Sequence, residues 1–262
     1  MVNIMKHKIF FLLVFLFSGY PAYSQTVLEL ITQADELIEV KFDNINQLKV
    51  IEQAYKLEPN NFEVLWRMSR AYIDYGEHLP DKTDSDKEVQ LKQYEKALDF
   101  ANKSINVNPG SMIGYLHRAI ANGRIALFKG VFKAISLVNS VKADLEKAIK
   151  LNNGGDNHQS VAHYVLARAH AEVCEKPYLL RLPLTLGWGD RDEATKHYEA
   201  AIKLRPNFIM FRVDAAKNFI ELDEFQKAKE HLSIVPQLPK LDEDDDTYRA
   251  EAKELLEEIK TR

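Results

Sequence analysis

Five residues in the stretch DEATKHYEAAIKLRPNF constrain the fold more than any others: Ala194, Tyr198, Ala201, Ile202 and Pro206. Ala194 and Tyr198 are four apart and share one helix face, and Ala201 and Ile202 continue that face a turn later. Pro206 cannot donate a backbone hydrogen bond inside a helix, so it stops this one. Small residues at Ala194 and Ala201 let a second helix approach closely. A short helix with such a face is one half of a pair, because alone it leaves its apolar stripe in water. The arrangement recurs along the chain. Ala54 precedes Pro59; Ala97, Ala101, Ser104 and Ile105 precede Pro109; Ala148, Ile149 and Leu151 precede Asn153, which stands where the others have proline.

The preceding half of each pair also repeats. Trp66, Met68, Ser69 and Tyr72 give a large, a Leu-like, a small and an aromatic position, and His163, Leu166, Ala167 and His170 follow the same order. Arg212, Ala215, Ala216 and Phe219 do so again. This two-helix pattern resembles the tetratricopeptide repeat (TPR). Repeats of that kind stack, each burying its face on the next, and display a surface without chemistry of their own. The predicted fold is all-α: a TPR-like α-solenoid of about five helix pairs with a C-terminal capping helix. Thr247 is the predicted cap of that last helix, and Glu251, Glu254, Glu257 and Glu258 keep its outer side soluble. The spacing is irregular. Successive stops lie 50, 44 and 53 residues apart, where a plain repeat has about 34. The surplus is expected between paired helices: a polar loop at 77–88, a helical extension at 128–140 and an apolar insertion at 174–190.

Scarce Gly (10) and Pro (9) with 28% charged residues suit helices. A formal net charge of −4 provides no footprint for nucleic acid. Residues 1–24 read as a cleaved secretory leader: Lys6 and Lys8, an apolar run from Ile9 to Phe17, then Ala22-Tyr23-Ser24 before Gln25. That run rises about 14 Å as a helix, against a bilayer core of roughly 30 Å. The expectation is a single helical-repeat domain over residues 25–262, secreted or periplasmic, with no stable membrane span after cleavage. Nothing in the pattern sets an oligomeric state.

Signals for catalysis are missing from the sequence. Gly154-Gly155 lacks the following Lys-Ser or Lys-Thr of a phosphate loop, and Gly187-Trp188-Gly189-Asp190 lacks a nucleophile. His163, His170 and Cys174 are zinc-ligand types, but an i, i+7 spacing holds the two histidines about 10 Å apart. No enzyme activity, metal or cofactor is expected.

The order of units and insertions resembles the family of regulators of microtubule dynamics. The likeness is carried by Glu63–Ala71 (EVLWRMSRA), Tyr94–Leu98 (YEKAL), Asp144–Asn152 (DLEKAIKLN), Tyr198–Phe208 and the apolar insertion before Trp188, over roughly residues 30–260. The resemblance implies an all-helical scaffold without a catalytic site. Its microtubule association is not carried over, since no tubulin-binding motif can be matched here.

First helices line the concave side of a TPR stack. The inward positions are Glu63, Trp66, Arg70, Asp74, Arg124, Tyr164, Arg168, Glu172, Lys217 and Glu221. Three (i, i+4) pairs recur among them: Arg70–Asp74, Arg168–Glu172 and Lys217–Glu221. They are expected to form a basic column beside an acidic one, able to hold a protein or peptide partner. Exposed charge pairs of this kind are also ordinary surface features. A second candidate is the segment with Tyr178, Leu180, Leu182, Leu184 and Trp188, too apolar for a free loop. It is expected to fold back on the stack, the alternative being a lid or partner patch. A chamber beneath it would favour small-molecule delivery for a transport system over partner binding.

Overall fold

The computed structural model describes residues 25–129 and 131–262; the leader read at residues 1–24 lies outside the described residues. Helix starts follow side-chain caps that the sequence supplies. Thr26 opens α1 (Val27–Glu39): its hydroxyl accepts from Glu29 N at 3.2 Å, while Thr26 N donates to the Glu29 carboxylate at 2.8 Å. Asp43, Asn61, Thr83 and Ser111 cap α2 (Asn44–Leu57), α3 (Phe62–Glu77), α4 (Asp84–Val107) and α5 (Met112–Ala126). The chain continues through α6 (Val131–Leu151), α7 (Gly155–Cys174), a single turn α8 (Tyr178–Arg181), α9 (Arg191–Leu204), α10 (Ile209–Glu221), α11 (Phe225–Ser233) and α12 (Asp245–Glu258). There is no strand among the described residues.

Helix ends follow the prolines. α2, α4 and α9 finish at Leu57, Val107 and Leu204, each two residues short of Pro59, Pro109 or Pro206. The exception is informative. Asn152 ends α6 in the left-handed conformation (φ 44°), and Asn153 reaches back one repeat. Its side chain accepts from Met112 N at 2.9 Å and donates to Gly110 O at 2.8 Å. An amide at the start of α5, otherwise orphaned, is thereby satisfied; a proline in that place could not do this.

The helices pack as pairs, α1 with α2, α3 with α4, α5 with α6, α7 with α9 and α10 with α11, and α12 covers α10 and α11. Ala54, Ala97, Ala101, Ala148, Ala194, Ala201 and Ala228 are fully buried at these contacts. At Gly114 the approach of α4 is so close that a Cβ would lie 2.8 Å from both Ile105 and Ser104 side chains. Successive first helices also touch: α3 with α5, α5 with α7 and α7 with α10. Successive second helices do not approach comparably, so the array curves with its first helices on the concave side. The core is a chain of three linked clusters, joined through Ile120 and through Val161 and Val165, as expected of a stack in which each layer touches its neighbours.

The surplus length falls between paired helices. The polar loop expected at 77–88 is shorter than that, because α4 begins at Asp84, and residues from Val131 onward lengthen α6. The last helix differs from expectation at its start. It begins two residues before Thr247, and the carboxylate of fully buried Asp245 organises its approach by accepting from Leu241 N (2.7 Å) and Asp242 N (2.9 Å).

Candidate functional site

Four successive first helices each carry a partly exposed cation among the residues expected to face inward. Arg70 on α3, Arg124 on α5, Arg168 on α7 and Lys217 on α10 keep 30, 36, 40 and 39% of their side chains exposed. Arg70 lies between Glu39 (3.3 Å) and Asp74 (3.5 Å). Arg124 pairs with Glu77, and Arg168 with Glu172 (2.8 Å) and Asp214 (3.7 Å). Two of the three (i, i+4) pairs expected from spacing therefore form. The third does not. Lys217 turns to Asp214 (3.0 Å) and to Glu251 on the capping helix (2.6 Å), while Glu221 is met by Arg191 at 3.6 Å. Glu251 wins because α12 packs across α10, a contact invisible to local spacing.

The aromatic candidates are used inside the array. Trp66 is 4% exposed and stacks on His117 at 5.4 Å, with His158 edge-on at 5.3 Å and the Arg67 guanidinium 4.0 Å from its ring. Glu63 accepts from Trp66 Nε1 (2.9 Å) and pairs with Arg67 (2.7 Å). Tyr164, also 4% exposed, donates to Asp214 at 2.7 Å and stacks on Phe211. Both rings sit where first helices meet, so they join layers and leave the cations as the displayed groups. Burial pushes the Asp74 carboxyl up to about 7, with Glu77 and Glu243 adding to the rise and Arg70 and His78 opposing it.

The apolar insertion folds contrary to its hydrophobic pattern. Arg181 points inward, 8% exposed, and donates to Gly189 O (2.9 Å) and Leu186 O (3.4 Å). Gly189 makes the room, since a Cβ there would lie 2.6 Å from that guanidinium and 2.4 Å from Val173. Tyr178, Leu179, Leu180 and Leu182 consequently face outward, 53–80% exposed. Leu184 and Trp188 are half-buried, and the Trp188 indole donates to Asn139 at 2.8 Å. Folding back thus holds for the base of the insertion, where Arg181 satisfies the turn's carbonyls, and not for its tip. Brief trypsin treatment should cut after exposed Lys82 well before Arg181, with peptide masses as the readout; equal rates would contradict the buried arginine.

His197, on α9, is a neighbour that sequence spacing on α7 did not suggest. Its Nδ1 lies 2.8 Å from His163 Nδ1, and its ring centroid 6.1 Å from that of His170. Burial lowers the pKa of all three, that of His163 to about 4. Among the described residues no three His, Cys, Asp or Glu side chains are grouped to hold a metal ion. The Cys174 thiol is half-buried and pushed up by that burial.

The family model described as Regulator of microtubule dynamics protein 1-3 matches residues 30–260. Regulator of microtubule dynamics protein 1 of Bos taurus is 26% identical over 257 residues, covering 92% of this chain and 78% of that protein. Regulator of microtubule dynamics protein 3 of Rattus norvegicus is 26% identical over 242 residues; the match takes in 86% of this chain but 48%, about half, of the rat protein. Among solved structures, a thermophilic TPR protein of Thermus thermophilus superposes with a TM-score of 0.64 at 15% identity, over 87% of this chain and 98% of that one. At that identity the likeness speaks for the fold alone.

Proposed function

The chain belongs to the family of regulators of microtubule dynamics, and from that premise we propose that it is a non-catalytic TPR-like scaffold holding a protein or peptide partner along its concave face. One observation carries this reading: Arg70, Arg124, Arg168 and Lys217 come from four consecutive first helices, and each keeps a third or so of its side chain in water. A row of cations at layer spacing suits an extended segment bearing carboxylates. The leader-like residues 1–24 support a secreted or periplasmic location, and N-terminal sequencing of the mature chain from Gln25 would test it. The microtubules in the relatives' names are not carried over, since such a leader takes the chain away from a cytoskeleton. No helix among the described residues is long and apolar enough to cross a membrane. Small-molecule delivery has less support. A cavity of about 520 Å³ opens beside Asp84 and Phe128 and one of about 330 Å³ between α11 and α12, and neither is lined by the insertion or by the four cations.

The triple variant R70Q/R168Q/K217Q tests the scaffold reading. Arg168 and Lys217 both serve Asp214, which is 9% exposed, so losing both strands a buried carboxylate and should lower the melting temperature; an unchanged helical circular dichroism spectrum at the assay temperature shows that the fold survives. Affinity for a fluorescein-labelled octaglutamate peptide, and capture of partners identified by mass spectrometry, should fall at least tenfold. Undiminished binding of both would sink the proposal.

A further inference from the structure

The end of the array reaches back to its beginning. Glu243, in the loop before α12, accepts from Asn44 Nδ2 with both carboxylate oxygens (3.2 and 3.1 Å) and lies 3.0 Å from His78 Nε2. These contacts span 199 and 165 residues. Layers of a simple stack touch only their neighbours, so stacking does not require them. Asn44 opens α2 and is 5% exposed; His78 follows α3 and is anchored through Nδ1 to Asp74 O at 2.7 Å. The loop is also preset. Asp245 collects the amides of Leu241 and Asp242, and Asp244 N donates to Asp242 at 3.1 Å. Lys240 and Arg249 hold Asp246 at 2.7 and 2.8 Å. The tip lies beside Asp74 and Glu77, which are the partners of Arg70 and Arg124.

We propose that this loop is an autoinhibitory latch. Glu243 clasps Asn44 and His78, closes the solenoid on itself and bars the Arg70–Arg124 end of the concave face, so that a partner gains that end when the latch opens. The gating role rests on the scaffold reading; the closure does not.

Protonation favours the closed state. Glu243 faces His78 and Asn44, with Asp74 and Glu77 from α3 and Asp242 and Asp244 from its own loop nearby; Arg70, Arg124 and, at the end of α9, Arg205 offset this negative charge. Burial alone would lower the His78 pKa, but its bond to Asp74 O and the Glu243 carboxylate raise it above the usual value. Burial raises Asp74, Glu77 and Asp242 as well, Asp74 to about 7. Glu243 contributes to the rise of His78 and Asp74, and Asp244 to that of Glu77, so these three hold a proton more tightly when the latch is shut. The clasp is therefore firm below the ordinary histidine pKa and loosens as pH rises through the raised values, that of Asp74 being about 7.

Hydrogen exchange on the full chain, corrected for intrinsic rates, tests the closure. At pH 6, E243Q should lose at least tenfold protection in both 241–246 and 74–80 while α9 keeps its own. The native chain should lose protection in the same two stretches between pH 6 and 8.5. N44A, which leaves the loop's charge intact, should act in the same direction. Native-like exchange in E243Q, a loss confined to 241–246, or a loss spread over every repeat would each overturn the latch. Fluorescein-labelled octaglutamate then tests the gating. N44A should bind it at least threefold more tightly than the native chain at pH 6, and equal affinity would overturn the gating role. If no variant binds the peptide while the exchange pattern holds, the acidic-partner reading fails and the closure stands.

Discussion

Phe211→Ala is expected to cost about 3–5 kcal/mol of stability. Phe211 has no exposed surface; it stacks on Tyr164 at 4.7 Å and packs against Phe208 at 4.7 Å. It joins the fourth and fifth layers, where Val213, Ala215 and Phe219 leave little freedom to collapse into the space. Truncation therefore loses both transfer energy and packing. Because a solenoid is held by nearest-neighbour interfaces, the loss should be local. Hydrogen exchange should quicken from α9 to α12 and change little from α1 to α4, and the urea transition should broaden or split. A loss below about 1 kcal/mol, or one shared evenly by all repeats, would show that this interface is not limiting.

Acid should weaken the array for a different reason. Six histidines, His117, His158, His163, His170, His197 and His231, have pKa values lowered chiefly by burial. His163 and His197 face each other through Nδ1 at 2.8 Å, so one donates and the other accepts, and a second proton has no place between them. The unfolded chain takes up protons from about pH 6.5 downward; the folded chain resists until lower pH. Stability from these groups is complete above that value and is lost as pH falls toward the folded values, about 4 for His163. For His163 alone, the fall from 6.5 to about 4 is worth up to about 3 kcal/mol, less once its partial exposure is allowed for, and the other five act in the same direction, so Tm should fall by several degrees. Thermal melts from pH 7.5 to 4.5 should show this decline, and H163Q/H197Q should flatten it. A profile that is flat in the native chain would contradict neutral burial. The direction is opposite to that of the latch, which loosens on the alkaline side.

Much of the fold was legible because it is written in short-range patterns. Ala97, Ala194 and Ala228 are small where a partner helix must approach, and all three are fully buried. Pro59, Pro109 and Pro206 mark where helices end, and the insertions lie between paired helices as the spacing implied. The concave side was less legible. Arg70–Asp74 and Arg168–Glu172 depend only on helix geometry, so spacing sufficed. Lys217 chooses Glu251, from a helix 34 residues on, and spacing could not foresee it. Trp66 and Tyr164 fall at inward positions, but whether an inward ring lines a groove or fills a joint depends on how tightly successive first helices converge.

By itself the sequence determined the all-helical repeat, its stops and its irregular spacing, because these rest on periodicity and on residues that act within a turn or two; the family came from the resemblance of its motifs and their order. Only the tertiary structure decided which cations stay displayed, that Arg181 lies inside while the leucines around it face water, that His197 completes a histidine row, and that Glu243 ties the last repeat to the first two. Arg181 and His197 depend on how α7, the insertion and α9 pack together, whereas the displayed cations and the Glu243 tie depend on the curvature of the stack. Curvature is the sum of small rotations between layers, and no single repeat carries that sum in its own residues.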